Sequence, residues 1–232
     1  MTADDDPELH RIVRFWDARA REDAVRYSVP GGTAIGDDAF RAAGEAVLDA
    51  LERDLGWSAQ GAGRVLDLGC GAGRLTGALA DVADEVVAVD ASSRMIEAAR
   101  TRLGELPDVS WQTTDVGDLV RLPDDVADAA LCIGVLPHLP TAKHVAAAIA
   151  EFGRVLQSGG AVAFDVRSGV APLRLPGEDD LPPHVTGHPL WSGVVVDLET
   201  VAAVAHQSGL VVERIEGSGT ARSLVLARRE ER

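Results

Sequence analysis

The chain has 232 residues, 46% of them hydrophobic and 25% charged, which suits one sizeable α/β domain and excludes collagen, coiled-coil and disordered classes. Its formal net charge is −15 and Lys143 is the single lysine, so most of the surface would repel a phosphate backbone. No nucleic-acid partner is expected.

Residues 8–27 interleave Leu9, Ile12, Val13, Phe15 and Trp16 with charge at helical spacing, which predicts an amphipathic helix. The Gly- and Pro-rich stretch 28–38 reads as a loop. A second helix is expected from Asp38 to Leu55, with Phe40, Ala43, Val47, Leu48 and Leu51 on one face. From Arg64 onward, short apolar runs alternate with helical stretches. Strands are expected at Val65–Leu68, Glu85–Val89, Val109–Thr113, Ala129–Ile133 and Gly160–Val166. Helices are expected at Arg74–Val82, Arg94–Leu103 and Thr141–Leu156, the last preceding a Gly-Gly turn at 159–160. Such alternation builds βαβ units and a parallel sheet.

The C-terminal part differs. Residues 168–192, with Pro172, Pro176, Pro182, Pro183 and Pro189, read as a long irregular segment. Asp197 is placed to cap a helix through Ser208. Strands Leu210–Glu216 and Ser223–Ala227 are joined by GSGT at 217–220, too short for a crossover, so they pair antiparallel.

Cys70 and Cys132 lie in apolar runs without CxxC spacing, which fits a reducing compartment. The acidic MTADDDPELH start is unlike a secretory signal, and no apolar run approaches the roughly 18 residues of a membrane span. A cytoplasmic protein with no membrane partner is expected.

The sharpest feature is VLDLGCGAGRL at 65–75: a buried strand, then Gly69, Gly71 and Gly73, then a helix. Open α/β sheets bind ligands outside the carboxyl ends of their strands, near the switch point. A pyrophosphate loop usually reads G-x-G-x-x-G and offers backbone N–H groups to the anion. Here the spacing is G-x-G-x-G, with Asp67 two residues upstream. A carboxylate so close disfavours pyrophosphate and suits an ammonium group.

On these residues, the segment 64–167 resembles the class I S-adenosylmethionine-dependent methyltransferase superfamily, especially its small-molecule branch. The resemblance implies an α/β fold: a Rossmann-like, doubly wound, mostly parallel seven-stranded sheet with an antiparallel C-terminal hairpin. Residues 1–60 would form an N-terminal helical cap, and 61–232 the core, with a substrate-side insertion at 168–192. The cofactor implied is S-adenosylmethionine, contacted by Asp67, Gly69, Cys70, Gly71 and Gly73.

Asp90, ending the second strand, can accept hydrogen bonds from both ribose hydroxyls; Ala91 and Met95 would line the adenine side. Asp115 stands where the family places an acid near the adenine amino group, with the Val116 N–H toward the ring. Asp118 competes for that role, and Asp115 before Gly117 also suits a simple turn. Ile133 and Gly134 would sit beneath the cofactor. Gly134, Val135, Leu136 and Pro137 stand where base-methylating relatives carry an Asn/Asp-Pro-Pro-aromatic motif, which argues against an exocyclic base amine as acceptor.

The expected reaction is in-line methyl transfer to an oxygen or nitrogen of a small molecule. His138 is the candidate general base, with plain packing at a helix start as the alternative. His184 and His188, in the insertion, are candidate substrate contacts or exposed loop histidines. They lie near Asp179–Asp180 but show no metal-ligand spacing, so no metal is expected. The segment with Phe15, Trp16, Arg19 and Tyr27 is a candidate lid over the cofactor or a helix simply packed on the sheet. Trp16 and Tyr27 are candidate substrate contacts, and Trp191 a pocket wall or core anchor. Two other readings share these features: a nicotinamide-dependent oxidoreductase, and a non-catalytic cofactor-binding partner subunit. The acceptor's identity and the oligomeric state are not legible in the chain.

Overall fold

A computed structural model describes residues 6–29, 35–119, 121–169, 181 and 183–231. Pro172, Pro176, Asp179, Asp180 and Pro182 of the expected insertion lie outside the described residues, as do residues 30–34 of the first loop.

Two helices come first. Asp6 caps α1 (Pro7–Tyr27) by accepting the Glu8 N–H, with Pro7 at the first helical position. The expected uninterrupted helix is corrected at Asp23, whose backbone is extended (φ −171°, ψ 95°); its side chain accepts the Arg26 N–H and restarts the last turn. Helix α2 (Asp37–Ala50) is also shorter than expected. It passes into a π-helical turn at Leu51–Leu55, which Gly56 ends in the left-handed region at φ 78°.

The sheet contains β1 (Arg64–Leu68), β2 (Glu85–Asp90), β3 (Val109–Thr113), β4 (Ala127–Cys132), β5 (Leu156–Arg167), β6 (Leu210–Glu216) and β7 (Arg222–Arg229). The strand order is β3-β2-β1-β4-β5-β7-β6. The chain steps outward through β1, β2 and β3, then returns to place β4 beside β1 and continue in the opposite direction. The switch point therefore lies between β1 and β4. Every pairing is parallel except those of β7, which runs antiparallel to both β5 and β6. The expected hairpin is present at the end of the sheet, with its second strand between β5 and β6.

Helices α3 (Arg74–Ala80), α4 (Ser93–Leu103) and α5 (Ala142–Val155) supply the crossovers. Ser92 and Thr141 cap α4 and α5 through their hydroxyls. Two four-residue turns, α6 (Pro183–Thr186) and α7 (Pro189–Ser192), form part of the segment expected to be irregular, and α8 (Leu198–Gln207) is capped by Asp197 as anticipated.

Other boundaries move for local reasons. Strand β4 ends at Cys132, leaving Ile133 in the following loop. Strand β5 leaves α5 directly, so Gly159 and Gly160 lie inside it; a side chain on Gly160 would press on the carbonyls of Gln157, Asp128 and Ala127.

Both faces of the sheet are covered. Leu66, Leu68, Val89, Cys132, Phe164 and Val225 belong to one buried cluster with Phe15, Ile149 and Phe152. Val65, Val86, Leu131, Ala163 and Leu226 face the other way, onto Leu51, Leu55, Trp57 and Leu79. Central strands buried on both faces explain the near-continuous apolar runs. Among the described residues, no helix is long and apolar enough to cross a membrane.

Candidate functional site

One cavity of about 500 Å³ opens at the carboxyl ends of the strands. Its wall includes Asp67, Gly69, Cys70, Gly71, Asp90, Ala91, Met95, Asp115, Val116, Ile133, Gly134, Trp16, Tyr27, His138 and Trp191. Most of the residues singled out in the sequence thus converge on one space, although they come from six separate stretches of chain.

The glycine loop is built by close approach. A Cβ on Gly69 (φ 84°) would lie 2.0 Å from Val135 Cγ2, where the loops after β1 and β4 meet. A Cβ on Gly71 (φ 55°) would lie 2.7 Å from Ser28 Oγ, where the end of α1 descends on the loop. Gly73 is off the cavity; it faces Ala99 and Leu103 of α4, so its smallness serves helix packing.

The loop's amides are already committed. Gly69 and Cys70 donate to the Val89 carbonyl (2.7 and 2.9 Å), Gly71 to Asp90 Oδ2 (2.9 Å), Ala72 to Ser28 Oγ (2.8 Å) and Gly73 to the Cys70 carbonyl (3.0 Å). Asp67 takes the Thr76 hydroxyl (2.6 Å) and the Thr76 backbone N–H, placing the protein's own carboxylate at the start of α3. A pyrophosphate needs those amides and that helix end. This loop has neither to offer.

The acids are held under tension with their surroundings. Burial pushes the Asp67 carboxyl up to about 6, against the opposing pull of Thr76 and Arg74. Burial also raises Asp90 to about 6, although Ser92 and Gly71 amides (2.8 and 2.9 Å) favour its ionised form. Asp115 is likewise raised by burial, and its Oδ1 accepts the Gly117 N–H at 2.8 Å. It therefore forms a local turn while also lining the cavity. Asp118 is not part of the cavity wall.

Arg74 and Ser28 in the wall, and Asp165 behind it, were not singled out in the sequence. Arg74 is buried, donates through Nε to the Ser28 carbonyl (2.8 Å), and has no partner for its buried Nη1. An unpaired buried guanidinium N–H is costly, and this one fits an anionic ligand group. Asp165 is fully buried in β5; its Oδ1 accepts the Gly134 N–H (2.6 Å) and its Oδ2 the Arg222 Nε. A lone acid within the apolar run AVAFDV was the available sign of this ion pair. Ser28 has none, because its role depends on a loop 44 residues away.

The aromatic side is formed by Trp16, His138 and Trp191, with centroids 5.2 Å (Trp16–His138) and 5.1 Å (His138–Trp191) apart. His138 Nδ1 lies 2.7 Å from the Trp191 carbonyl oxygen. A carbonyl only accepts, so Nδ1 carries the hydrogen and Nε2 is the basic nitrogen of the neutral ring. Tyr27 donates to Glu22 Oε2 at 2.8 Å; burial, then this partner, raises the phenol above its ordinary range.

His184 and His188 do not line the cavity. His188 stacks 4.6 Å from Phe15, and His184 is exposed beside Glu22 (3.9 Å). Burial holds both cysteine thiols well above their usual range, so neither is a ready nucleophile. Among the described residues, the one cluster of potential metal ligands, Asp6, Glu8 and His144, does not line this cavity.

Known proteins are similar to this chain in sequence and in fold. Residues 66–164 match the family model described as a methyltransferase domain. A 37.1 kDa uncharacterised protein of a Streptomyces fradiae transposon is 31% identical over 218 residues, covering 91% of this chain and 53% of that protein. A ubiquinone biosynthesis O-methyltransferase of Alkalilimnicola ehrlichii is 31% identical over 102 residues, 44% of this chain and 40% of that one. The chain thus spans about half the length, or less, of these curated relatives. In fold it is similar to the N-methyltransferase NodS of Bradyrhizobium japonicum in complex with S-adenosylhomocysteine. The TM-score is 0.61 at 20% identity, covering 93% of this chain and 99% of that one. The methyltransferase-domain match covers under half of the chain, and the solved structure is similar to it in fold.

Proposed function

We propose that this chain methylates an oxygen or nitrogen nucleophile of a small molecule, using S-adenosylmethionine, with residues 1–60 as a cap over the cavity. The observation that carries the reading is the glycine loop, whose amides are committed internally beside the unpartnered Nη1 of Arg74. Such a loop suits a zwitterionic amino-acid nucleoside better than a diphosphate.

The residues present fit that group. Asp90 would accept the ribose hydroxyls. Asp115 and Val116 would meet the adenine, with Ala91 and Met95 along its side, and Ile133 and Gly134 would lie beneath. Gly69, Cys70 and Gly71 would wrap the methionyl end, with its ammonium toward Asp67 and its carboxylate toward Arg74. When bound, S-adenosylmethionine supplies a methyl carbon on a sulfonium: the acceptor's lone pair forms the new bond and the carbon–sulfur pair returns to sulfur.

The chain's own work is then mainly positioning, worth on the order of 7–11 kcal/mol when two reactants are aligned. Trp16, Tyr27 and Trp191 shield the cavity from water. His138, oriented by the Trp191 carbonyl, would take the proton of a hydroxyl acceptor on Nε2; a neutral amine needs no such help. His188 supports the lid from behind Phe15, and His184 contacts its Glu22. The two buried free thiols favour a reducing compartment, the cytoplasm.

Calorimetric titration with S-adenosylhomocysteine and with NADH tests the reading. Binding of the first and not the second is the expected result. Binding of NADH alone would overturn the assignment in favour of an oxidoreductase, and cofactor binding without turnover on broad acceptor panels would indicate a non-catalytic subunit.

A further inference from the structure

The cavity extends past the strands that carry the glycine loop. Asp90 marks its β2 end and Leu224 its β7 end. Those strands are four places apart in the sheet, which is about 19 Å at roughly 4.8 Å per strand. On the sheet face covered by α2 the wall changes character. Val47, Ala50, Leu51, Leu75, Ile133 and Leu224 line it, none with a side-chain nitrogen or oxygen. A polar body lodged there would lose its water without recovering hydrogen bonds.

One strong cation stands in this lobe. Arg222 lines the cavity and is fixed through Nε by Asp165, itself anchored by the Gly134 N–H. Among the described residues, nothing else pairs with its guanidinium. Arg74 adds positive charge on the side toward the glycine loop, and Glu216 also lines the cavity. One negative charge is welcome in that setting, a second would meet Glu216, and an ammonium would face two guanidiniums.

We propose that the β7 lobe is the acceptor site and that it takes an amphiphile, an aliphatic body bearing one carboxylate paired with Arg222. A guanidinium held at one edge presents its other N–H groups as a fork that matches a carboxylate. This inference rests on the methyl-transfer reading of the adjoining site.

The test titrates octanoate, 1-octanol and octylamine into the full chain, both alone and saturated with S-adenosylhomocysteine. The wild-type protein should prefer octanoate over octanol by about tenfold or more, and octylamine should bind most weakly. Arg222→Gln should abolish that preference, whereas Arg222→Lys, which keeps the charge beside Asp165, should retain part of it. Ala50→Trp should remove octanoate binding by filling the lobe and leave S-adenosylhomocysteine affinity within about twofold. Equal binding of acid and alcohol, preference for the amine, or unchanged octanoate affinity in Ala50→Trp would overturn the proposal. Failure of the wild type to bind S-adenosylhomocysteine overturns the methyltransferase reading instead. The titrations into ligand-free protein still decide the acceptor site.

Discussion

The loops after β1 and β4 leave neighbouring strands at the switch point, yet they are held in different ways. The first is satisfied locally and by the next strand: its amides go to Val89, Asp90 and Cys70, and only Ala72 reaches outside, to Ser28. The second depends on distant chain. Gly134 is fixed by Asp165, and His138 by Trp191, 53 residues away. One loop is a self-contained cradle, and the other is a surface assembled by the fold. That division matches the proposed split between a shared cofactor and a particular acceptor.

The sharpest way to break this comparison is to force the loops apart. Gly69→Ala places a Cβ 2.0 Å from Val135 Cγ2 at a backbone with φ 84°. The added strain and overpacking should cost about 2–4 kcal/mol, read as a lower denaturation midpoint. Adding Val135→Ala should recover part of the loss; strict additivity would show that the loops are not coupled.

Next come the cradle's ligand groups. Asp90→Ala should weaken S-adenosylhomocysteine by roughly 1–3 kcal/mol in calorimetry; unchanged affinity with an intact fold removes Asp90 from the site. Arg74→Met should weaken the same ligand by about 1–2 kcal/mol while sparing 5′-methylthioadenosine, which lacks the carboxylate. An equal loss for both compounds would mean that Arg74 acts only through packing.

The smallest effect is on stability. Asp67 has a folded-state value near 6 against 3.8 for the free group, so the folded chain binds this proton more tightly than the unfolded one. Its ionised form therefore destabilises the fold above pH 6, and the cost disappears as pH falls from about 6 to 4. Without ligand, Asp67→Asn should be more stable than the wild type by about 1–2 kcal/mol at pH 8, with the gap closing near pH 4. A gap that does not change with pH would place the effect in the Thr76 hydrogen bond rather than in the charge.

The alternation of apolar runs and helices, the glycine loop and the acids ending β1 and β2 were legible in the chain, because each follows from strand burial, capping or turn chemistry within a few residues. Boundaries were less so. Gly159 and Gly160 read as a turn; they fall inside β5 at an irregularity, where Gly159 has φ 78° and neither enters the register with β4 or β7. The positions of His184 and His188 behind the wall, and of Gly73 against α4, were also beyond local reasoning.

Sequence alone determined the layered α/β architecture and the kind of bend that follows β1, since hydrophobic periodicity and glycine placement act over short range. Tertiary structure decided which groups share the cavity. Arg74 with Ser28, Asp165 with Arg222, and the meeting of Trp16, His138 and Trp191 each join residues far apart in the chain. Only sheet order and helix packing bring such groups within reach of one another.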